Sequence, residues 1–600
     1  MRETSRKLNL FVYEKQGLIF RIMGWIVMLS SVLTVASMVY YYGFNHSAEE
    51  KELLIKVKKS FFGVFIINYL VRLFFTLDRK QFFRNTWAEG ILLALVLINF
   101  FSLLLFGLPL IARIFAALDV EGFEPYYVFI IQCYLLLLVA VEVVKRAHLL
   151  GNLKMKPATT FILSFVILVF LGGGMLMMPG VIRNGESIRF IDSLFMSTSA
   201  SCVTGLTVVD TATFFNTKGH LIIISLIQLG GLGIISFATF FASFMKKGIG
   251  LRHQGMMKEL FDNESILGAV GMFRKVIIYT FTIELISATL IYNFWGDVQF
   301  ASAGHKIYYS LFHAISSFCN AGFSLFTNNL YEPILQDKLL LHMAIAATIF
   351  FGSLGFPAIR DIFDVRNIRE RLNRPWKKWK LSTQIAVYGS FALIILGAVF
   401  FYFLEKDNTI SKMGMVEAVV ASIFQSVTCR TAGYNTVDFS LLGTPILIIM
   451  VFLMFIGGSS GSTAGGIKTS SFTVIFSAII ATVTGKKMVT MGRRTISQEL
   501  IYKAFAVFIF SASFIFINVV ILSIAEPNIP IIRLVFEEVS AFATVGLTTG
   551  ITANLSDLSK MVLIISMFVG RVGVLSLAFS LSVPTRSNAY KYPNSHIMIG

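Results

Sequence analysis

Four short polar segments, each built around a single glycine, interrupt the apolar sequence of this 600-residue chain. The glycines follow one another at intervals of 117, 111 and 113 residues. Glycine allows positive φ, so that successive carbonyl oxygens can face one axis and replace the water around a cation. Because no segment contains a carboxylate, the chemistry indicated is cation coordination by backbone carbonyls. The residues predicted to form this selectivity filter are Val203, Thr204, Gly205, Asn320, Ala321, Gly322, Thr431, Ala432, Gly433, Thr544, Val545 and Gly546.

The sequence before each glycine is predicted to form a short helix that enters the membrane and stops there. Three of these stretches have a phenylalanine ten residues before the glycine, namely Phe195, Phe312 and Phe536, and Ile423 has this position in the third stretch. The C-terminal end of a helix is negative, so a helix end inside the membrane favours a cation. The alternative is that the small residues only allow close helix packing, but four segments in one register favour the filter. The predicted short helices cover residues 193–200, 310–318, 415–426 and 534–542.

Composition places the chain among membrane proteins. Hydrophobic residues make up 56% of the sequence and charged residues 14%, and the mean hydropathy is +0.76. Several apolar runs exceed the roughly 20 residues that a spanning helix needs, which excludes a soluble protein. About twelve spans are predicted, near residues 18–42, 60–77, 87–116, 126–146, 159–179, 220–245, 274–296, 338–359, 382–404, 444–483, 500–525 and 558–582.

The formal net charge of +18 follows the positive-inside rule and does not indicate a nucleic-acid partner. Lys and Arg cluster in short connections that a cytoplasmic N-terminus places on the inner side, and the most basic connection is 360–380. The stretch 51–59 is an exception, because this topology places it outside. We therefore predict a multi-pass protein with both termini in the cytoplasm.

The predicted fold is an all-α polytopic membrane protein, in which four pseudo-symmetric repeats of span, pore loop and span surround one pore. The predicted boundaries are 1–150 for a four-span N-terminal module, 155–260, 270–365, 380–490 and 498–585 for the repeats, and 586–600 for a cytoplasmic tail.

The N-terminal module has a partial resemblance of its own. Residues 68–87 resemble the second and third helices of voltage-sensor domains. A working sensor needs an arginine-rich fourth helix, whereas residues 126–144 contain no arginine. We therefore expect a non-sensing module that supports assembly or contacts lipid.

Three further motifs, at residues 228–233, 457–469 and 570–573, carry a resemblance to a known family. Together with the four loops they occur in the order found in the TrkH/KtrB/HKT superfamily of potassium transport proteins, which the chain resembles over about residues 155–585. The resemblance implies potassium-selective uptake, with K+ as the transported ion in the filter. In that family a glycine in all four loops goes with potassium selectivity, and a serine in the first goes with sodium selectivity in some plant members. Gly205 therefore implies potassium.

A glycine- and serine-rich segment interrupts an apolar run too long for one straight helix, so an irregular intramembrane loop is predicted. By resemblance this loop is the gate, and Arg571, a charge that is costly inside a span, projects into the conduction path below the filter. The alternatives are a kink without regulation, an arginine paired with a buried carboxylate, and a Lys468 that is either an anchor of the loop or an interfacial residue. The predicted gate residues are Gly457, Gly458, Ser459, Ser460, Gly461, Ser462, Gly465, Gly466, Lys468 and Arg571.

Other polar residues lie close to the loops in sequence. Glu537 and Glu538 are interpreted as caps at the positive end of the fourth short helix, where they would also hold the filter geometry through hydrogen bonds. Arg430 either braces the third loop or repels ions at the outer mouth, and Asp210 either concentrates cations at the entrance or is an ordinary solvated carboxylate. The four cysteines form no disulfide framework, and those near the filter are predicted to be buried packing residues.

The resemblance also implies partners. It implies a homodimer with one pore per protomer in a prokaryotic plasma (inner) membrane, and a cytoplasmic ring of TrkA/KtrA-like regulatory subunits that bind a nucleotide of the NAD or ATP class. The basic connections 360–380 and 486–494 are available for docking such a ring. For this chain we expect no bound organic cofactor, no nucleic-acid partner and no enzymatic activity, since no nucleotide-binding loop, metal-ligand spacing or nucleophile triad is evident.

Two other classes of function remain as alternatives. A sodium-permeable or ion-coupled secondary transporter would need titratable residues near the midplane, where Glu284 is the candidate. A non-conducting membrane sensor or scaffold would not need four intact filter glycines. Ion flux distinguishes these classes.

Overall fold

The computed structural model of the protein describes residues 2–44, 46–76, 81–82, 86, 90, 157–183, 186–244, 266–492, 494–574 and 577. The chain divides into two compact units, residues 1–154 and 155–600. In the described residues both units are built from helices, and the second also contains one short hairpin.

In the first unit two long helices, α1 (Arg2–Gly43) and α2 (Ala48–Phe74), pack against each other. A capping box starts α2: Ser47 Oγ accepts a hydrogen bond from Glu50 N at 3.3 Å, and Glu50 Oε2 accepts one from Ser47 N at 3.1 Å. The predicted spans 18–42 and 60–77 fall largely within these helices. The predicted spans 87–116 and 126–146 lie outside the described residues.

The second unit follows the predicted order of long and short helices. Its first half contains α3 (Pro157–Leu176), α4 (Phe190–Ser201), α5 (Thr211–Phe214), α6 (Thr217–Phe244), α7 (Ile266–Phe294), α8 (Ala303–Cys319), α9 (Leu339–Leu354), α10 (Phe356–Phe363) and α11 (Val365–Asn373). Its second half contains α12 (Leu381–Glu405), α13 (Met415–Thr428), α14 (Thr444–Phe455), α15 (Thr469–Val483), the hairpin strands β1 (Thr490–Met491) and β2 (Arg494–Thr495), α16 (Gln498–Ala525), α17 (Ile531–Phe542) and α18 (Asp557–Val572).

A long helix followed by a short one occurs four times, as the packed pairs α3 and α4, α7 and α8, α12 and α13, and α16 and α17. After each short helix the chain passes a filter glycine and then enters α6, α9, α14 or α18. Phe195, Phe312 and Phe536 are each at most 2% exposed. The short helices therefore lie in the core of the unit, with the phenylalanine register that the sequence predicts.

Among the described residues, four helical segments are long and apolar enough to cross a membrane: Ile22–Gly43, Arg274–Phe294, Leu381–Glu405 and Gln498–Ala525. A fifth crossing is broken, because α9 and α10 meet at an angle of 102°. Other predicted spans are shorter apolar helices of 10–17 residues, such as α14 and α15.

The prediction of one continuous span over 338–359 is wrong. Gly355 ends α9 with φ 85° and ψ 141°, which is not helical, and Pro357 stands in the first turn of α10. A Cβ on Gly355 would lie 2.6 Å from Ser460 O. The break therefore lets another part of the chain approach the backbone closely.

Candidate functional site

The four filter loops share an unusual backbone. In each loop the glycine has a positive φ, and so does the residue two positions before it, although positive φ is strained for a residue with a side chain. Among the described residues, Asn329 is the one other non-glycine with positive φ. The φ angles are 59° and 98° at Val203 and Gly205, 61° and 69° at Asn320 and Gly322, 83° and 78° at Thr431 and Gly433, and 50° and 91° at Thr544 and Gly546. Four separate segments thus adopt one main-chain conformation.

The loops form a closed ring in chain order. A Cβ placed on each glycine would lie closer to a carbonyl oxygen of the next loop than real Cβ contacts allow. The distances are 2.4 Å from Gly205 to Ala321 O, 2.5 Å from Gly322 to Ala432 O, 2.6 Å from Gly433 to Val545 O and 2.1 Å from Gly546 to Thr204 O. Because the fourth glycine contacts the first loop, the ring is complete within one chain.

Each segment of the ring is fastened to the end of its own short helix. The amide of the residue before the glycine donates to a carbonyl of that helix. These bonds join Thr204 N to Ser199 O at 2.7 Å, Ala321 N to Ser316 O at 2.7 Å, Ala432 N to Thr428 O at 2.9 Å and Val545 N to Ser540 O at 2.8 Å. With their amides engaged on the helix side, the loops present oxygen acceptors, which suits a cation.

A cavity of about 350 Å³ lies against the ring, on the side of the residues that follow the glycines. All four filter glycines line it, and so do the carboxylate residues Asp210 and Asp438. Asp210 also caps α5, because its side chain accepts hydrogen bonds from Ala212 N at 3.0 Å and Thr213 Oγ1 at 2.7 Å. Two partly exposed carboxylates beside the ring would raise the local cation concentration.

The structure corrects the interpretation of Glu537 and Glu538 as helix caps. The N-cap of α17 is Pro530, and both glutamates lie fully buried in the second half of that helix. Glu537 accepts hydrogen bonds from Thr549 N at 2.9 Å and from the hydroxyl groups of Thr548 at 2.6 Å and Thr552 at 2.8 Å. Glu537 therefore holds the chain just after the fourth filter glycine.

Glu538 belongs to a different buried network. It accepts hydrogen bonds from Ser566 Oγ at 2.7 Å and Asn518 Nδ2 at 3.0 Å, and thereby links α17 to α18 and α16. The sequence indicated that these glutamates hold the filter through hydrogen bonds, but it did not identify the partners in either network. The threonines that follow the fourth loop and contact Glu537 were the available signal.

The predicted gate segment, residues 457–466, is an irregular loop between α14 and α15. It is docked on the break between α9 and α10: Ser459 N donates to Ser353 O at 2.9 Å, and Phe356 N donates to Gly461 O at 3.0 Å. The hydroxyl of Thr463 donates to Phe318 O, at the end of the second short helix, at 3.2 Å. The loop therefore contacts both the broken span and a filter helix.

The loop also approaches the fourth filter segment. A Cβ on Gly465 would lie 2.2 Å from Thr544 Oγ1. Ser460 lies on the exposed side of the loop, where its hydroxyl pairs with Ser470 Oγ at 2.7 Å. The predicted gate residues are thus spread between a buried side next to the filter and an exposed side.

Arg571 joins the predicted gate loop to another helix. Its side chain is 2% exposed, and its guanidinium donates to Thr463 O in the loop and to Gly230 O in α6, the latter at 2.6 Å. Both partners are carbonyls, so the contacts described for this arginine do not include the buried carboxylate of the alternative interpretation. Lys468 donates to Ala464 O and so anchors the loop.

Arg430, next to the third filter segment, contacts the gate segment, whereas the sequence suggested a brace of the third filter loop itself. It is buried, and its Nη2 donates to Gly457 O at 3.2 Å and to Thr469 Oγ1 at 3.0 Å. These contacts lie at the start of the gate segment and at the first residue of α15. The alternative that Arg430 repels ions at the outer mouth is therefore wrong.

Close glycine contacts also fix the second helices of three repeats, and sequence reasoning did not identify this role. A Cβ on Gly230 would lie 1.8 Å from Ser201 O, one on Gly352 would lie 2.1 Å from Phe318 O, and one on Gly570 would lie 1.7 Å from Phe542 O. Each contacted carbonyl belongs to the residue four positions before a filter glycine. These glycines therefore let the second helices pack directly on the ends of the filter helices.

Two smaller predictions concern buried groups. Cys202, Cys319 and Cys429 are buried and free, as expected of packing residues, and Cys133 lies outside the described residues. Glu284, the candidate for ion coupling, is 3% exposed in α7 and accepts a hydrogen bond from Gln228 Nε2 at 3.3 Å.

The sequence and fold match known transport proteins. Residues 127–591 match the sequence model of the TrkH family, described as a cation transport protein. The chain is 37% identical to the potassium/sodium uptake protein NtpJ of Enterococcus hirae, over 74% of this chain and 98% of that protein. It is 36% identical to the Ktr system potassium uptake protein B of Bacillus subtilis, over 74% of this chain and 97% of that protein.

The crystal structure of the potassium transporter TrkH from Vibrio parahaemolyticus shares the fold, with a TM-score of 0.57 and 18% identity, over 82% of this chain and 98% of that chain. The apolar helices described above agree with a multi-pass membrane protein. The family consists of transporters and not enzymes. On the strength of the family match and the identity to these relatives, the chain belongs to the TrkH family of transmembrane cation transport proteins.

Proposed function

We propose that this protein takes up potassium selectively through the ring of four filter loops. The observation that carries the proposal is the closed cycle of glycine-to-carbonyl contacts from Gly205 to Gly546. The names of the relatives, which are potassium or potassium/sodium uptake proteins, support the same ion. A dehydrated K+ would be held by the loop carbonyls, in place of its water.

The gate consists of residues 457–466 and Arg571. The loop contacts the ring at Thr544, and its Thr463 carbonyl accepts a hydrogen bond from Arg571. A guanidinium on the side of the ring where the gate loop lies would raise the energy barrier for the passage of a cation. Opening then requires the loop to leave Ser353 and Phe356, together with a movement of Arg571.

Regulation is assigned to a cytoplasmic partner. A TrkA/KtrA-like ring that binds a nucleotide of the NAD or ATP class would dock on the basic connection 486–494, where Lys486, Lys487 and Arg494 are exposed; Arg493 lies outside the described residues. We place the protein in a prokaryotic inner membrane as a homodimer. Both termini lie in the cytoplasm, because the basic connections follow the positive-inside rule. The boundaries of the four repeats and of the N-terminal module remain part of this proposal.

The test is flux of K+ and Na+ into proteoliposomes that contain the purified chain. We expect K+-selective flux, loss of selectivity in Gly205→Ser and higher flux in Arg571→Ala. Gly174→Ser is the matched control, because a Cβ at this glycine meets nothing within 4 Å. Absence of flux from every variant would favour a non-conducting scaffold or an obligate missing partner.

Sodium permeability is the second candidate, because one relative is named a potassium/sodium uptake protein. If this candidate is correct, Na+ flux into the proteoliposomes should be comparable to K+ flux. Coupling to another ion would involve Glu284, whose Oε1 has no hydrogen-bond partner among the described groups. Glu284→Gln would then abolish the dependence of flux on the coupling ion, and an unchanged dependence would exclude this role.

A further inference from the structure

The helix α11, between the second and third predicted repeats, has an uncovered apolar face. Val365, Ile368 and Leu372 are spaced by three and four residues, which places them on one side of the helix. Their exposed fractions are 75%, 40% and 76%, and Trp376, just after the helix, is 77% exposed. Within the described part of the chain, this face therefore lacks a cover.

Basic residues surround that face. The connection 360–380 contains eight Lys and Arg against three Asp and Glu. All three carboxylates are paired within the chain. Asp361 Oδ1 accepts a hydrogen bond from Arg371 Nη2 at 2.6 Å, Asp364 Oδ2 accepts one from Lys275 Nζ at 2.6 Å, and Glu370 pairs with Lys377. The exposed basic side chains are those of Arg366, Arg369, Arg374, Lys377, Lys378 and Lys380.

The position of α11 is fixed at the ends of two membrane-crossing segments. The preceding helix α10 is bent by 102° from α9 and so runs across the direction of that span. The next span, α12, begins at Leu381, and Lys380 N donates to Asp361 Oδ2 at 3.0 Å, which ties its start to α10. Asp364 caps α11, and the hydrogen bond from Lys275 lowers the pKa of this carboxyl and keeps it charged.

We propose that α11 lies in the bilayer interface and binds anionic phospholipid headgroups. Its apolar face would enter the boundary between headgroups and acyl chains, with Trp376 at headgroup level. The arginines beside that face would contact the lipid phosphates. Lipid satisfies both features of the helix, because an anionic bilayer supplies an apolar phase and negative charge at the place where the two spans end.

The test uses tryptophan quenching by brominated lipids in proteoliposomes of the full chain. The contribution of Trp376 is the difference between the protein and its Trp376→Phe variant. We expect brominated phosphatidylglycerol to quench this contribution about twofold more than brominated phosphatidylcholine, because anionic lipid is concentrated around the arginines. The triple variant Arg366→Gln, Arg369→Gln and Arg374→Gln should lose that preference but keep the quenching by phosphatidylcholine.

The matched control is the triple variant Lys486→Gln, Lys487→Gln and Arg494→Gln in the basic connection 486–494, which should keep the preference. Equal loss in both triple variants would overturn the proposal, because any loss of positive charge would then suffice. If neither brominated lipid quenches Trp376, the proposal is also overturned. That result would show that the face is turned to water or to a protein partner. The readout does not depend on ion flux.

Discussion

A Cβ atom is the smallest addition that a filter glycine can receive, and the ring opposes it in two ways. The four glycines have φ between 69° and 98°, a region that costs a residue with a side chain about 1–2 kcal/mol. The space for the Cβ is also occupied by a backbone carbonyl of the next loop, at 2.6 Å or less. Because backbone atoms cannot rotate away, the second effect is the larger one.

Gly433→Ala introduces both effects at one position of the ring. We expect it to lower the ratio of K+ to Na+ flux, because its Cβ would displace Val545 O, 2.6 Å away. The control is Gly485→Ala, which carries similar strain at φ 69° but meets nothing within 4 Å. If Gly485→Ala changes the flux ratio as much as Gly433→Ala does, backbone strain explains the change in both variants. The contact between Gly433 and Val545 O would then be unimportant for selectivity.

At the same scale, the sequence reveals the filter glycines better than their supports. Four glycines at similar intervals, with a phenylalanine ten residues before three of them, can be aligned by eye. Glu537 is different, because its role depends on where α17 begins and on which hydroxyl groups return to it. The sequence indicated a cap, whereas the helix begins six residues earlier, at Ile531.

The elements around the filter are interrupted where they meet the gate loop. Both α9 and α14 end beside residues 457–466, and Gly355 ends α9 in a conformation that a helix cannot contain. The sequence around this glycine is continuously apolar, so hydropathy predicted one span. Pro357 has no amide hydrogen to continue α9, and Gly355 takes a positive φ, so these two residue types permit the break. A hydropathy pattern does not register either property.

Gly355→Ala should undock the gate loop. Its Cβ would lie 2.6 Å from Ser460 O, at a φ of 85°, so we expect the leak of K+ through proteoliposomes to rise roughly tenfold, equivalent to about 1.4 kcal/mol. Gly296→Ala is the control, since it has φ 59° but its nearest neighbour is the flexible end of the Lys338 side chain, at 3.3 Å. A leak unchanged from that of the control would contradict the role of this contact.

At the scale of the whole molecule, the ring has three junctions that follow the chain and one that does not. The fourth junction, between α18 and α4, contains a buried ion pair in which Lys560 Nζ donates to Asp192 Oδ1 at 2.7 Å. Lys560 and Asp192 are 3% and 8% exposed. Arg189 also pairs with Asp192, through Nε at 2.8 Å. This pair cannot be recognised in the sequence, because its partners are 368 residues apart.

Lys560→Met should destabilise the pore unit by about 3 kcal/mol, the lower end of the range for breaking a buried pair, because Arg189 still compensates Asp192. The measurement is the thermal unfolding temperature in detergent. Adding Asp192→Asn should restore part of the loss, since no buried carboxylate that has lost one of its two cations would remain. Lys406→Met, which removes an exposed pair at 3.9 Å from Asp407, should leave the temperature unchanged. If Lys560→Met and Lys406→Met lower the unfolding temperature equally, the buried pair at the junction contributes no more to stability than the exposed pair.

The ring of four unlike segments in one polypeptide also affects how an ion preference can change over generations. In a pore made of four identical subunits, one codon change alters every wall at once. Here a codon change alters one wall and leaves three as they were, so the segments with Thr204, Ala321, Ala432 and Val545 can vary separately. Selection can therefore change one of the four segments of the ring while the other three stay the same.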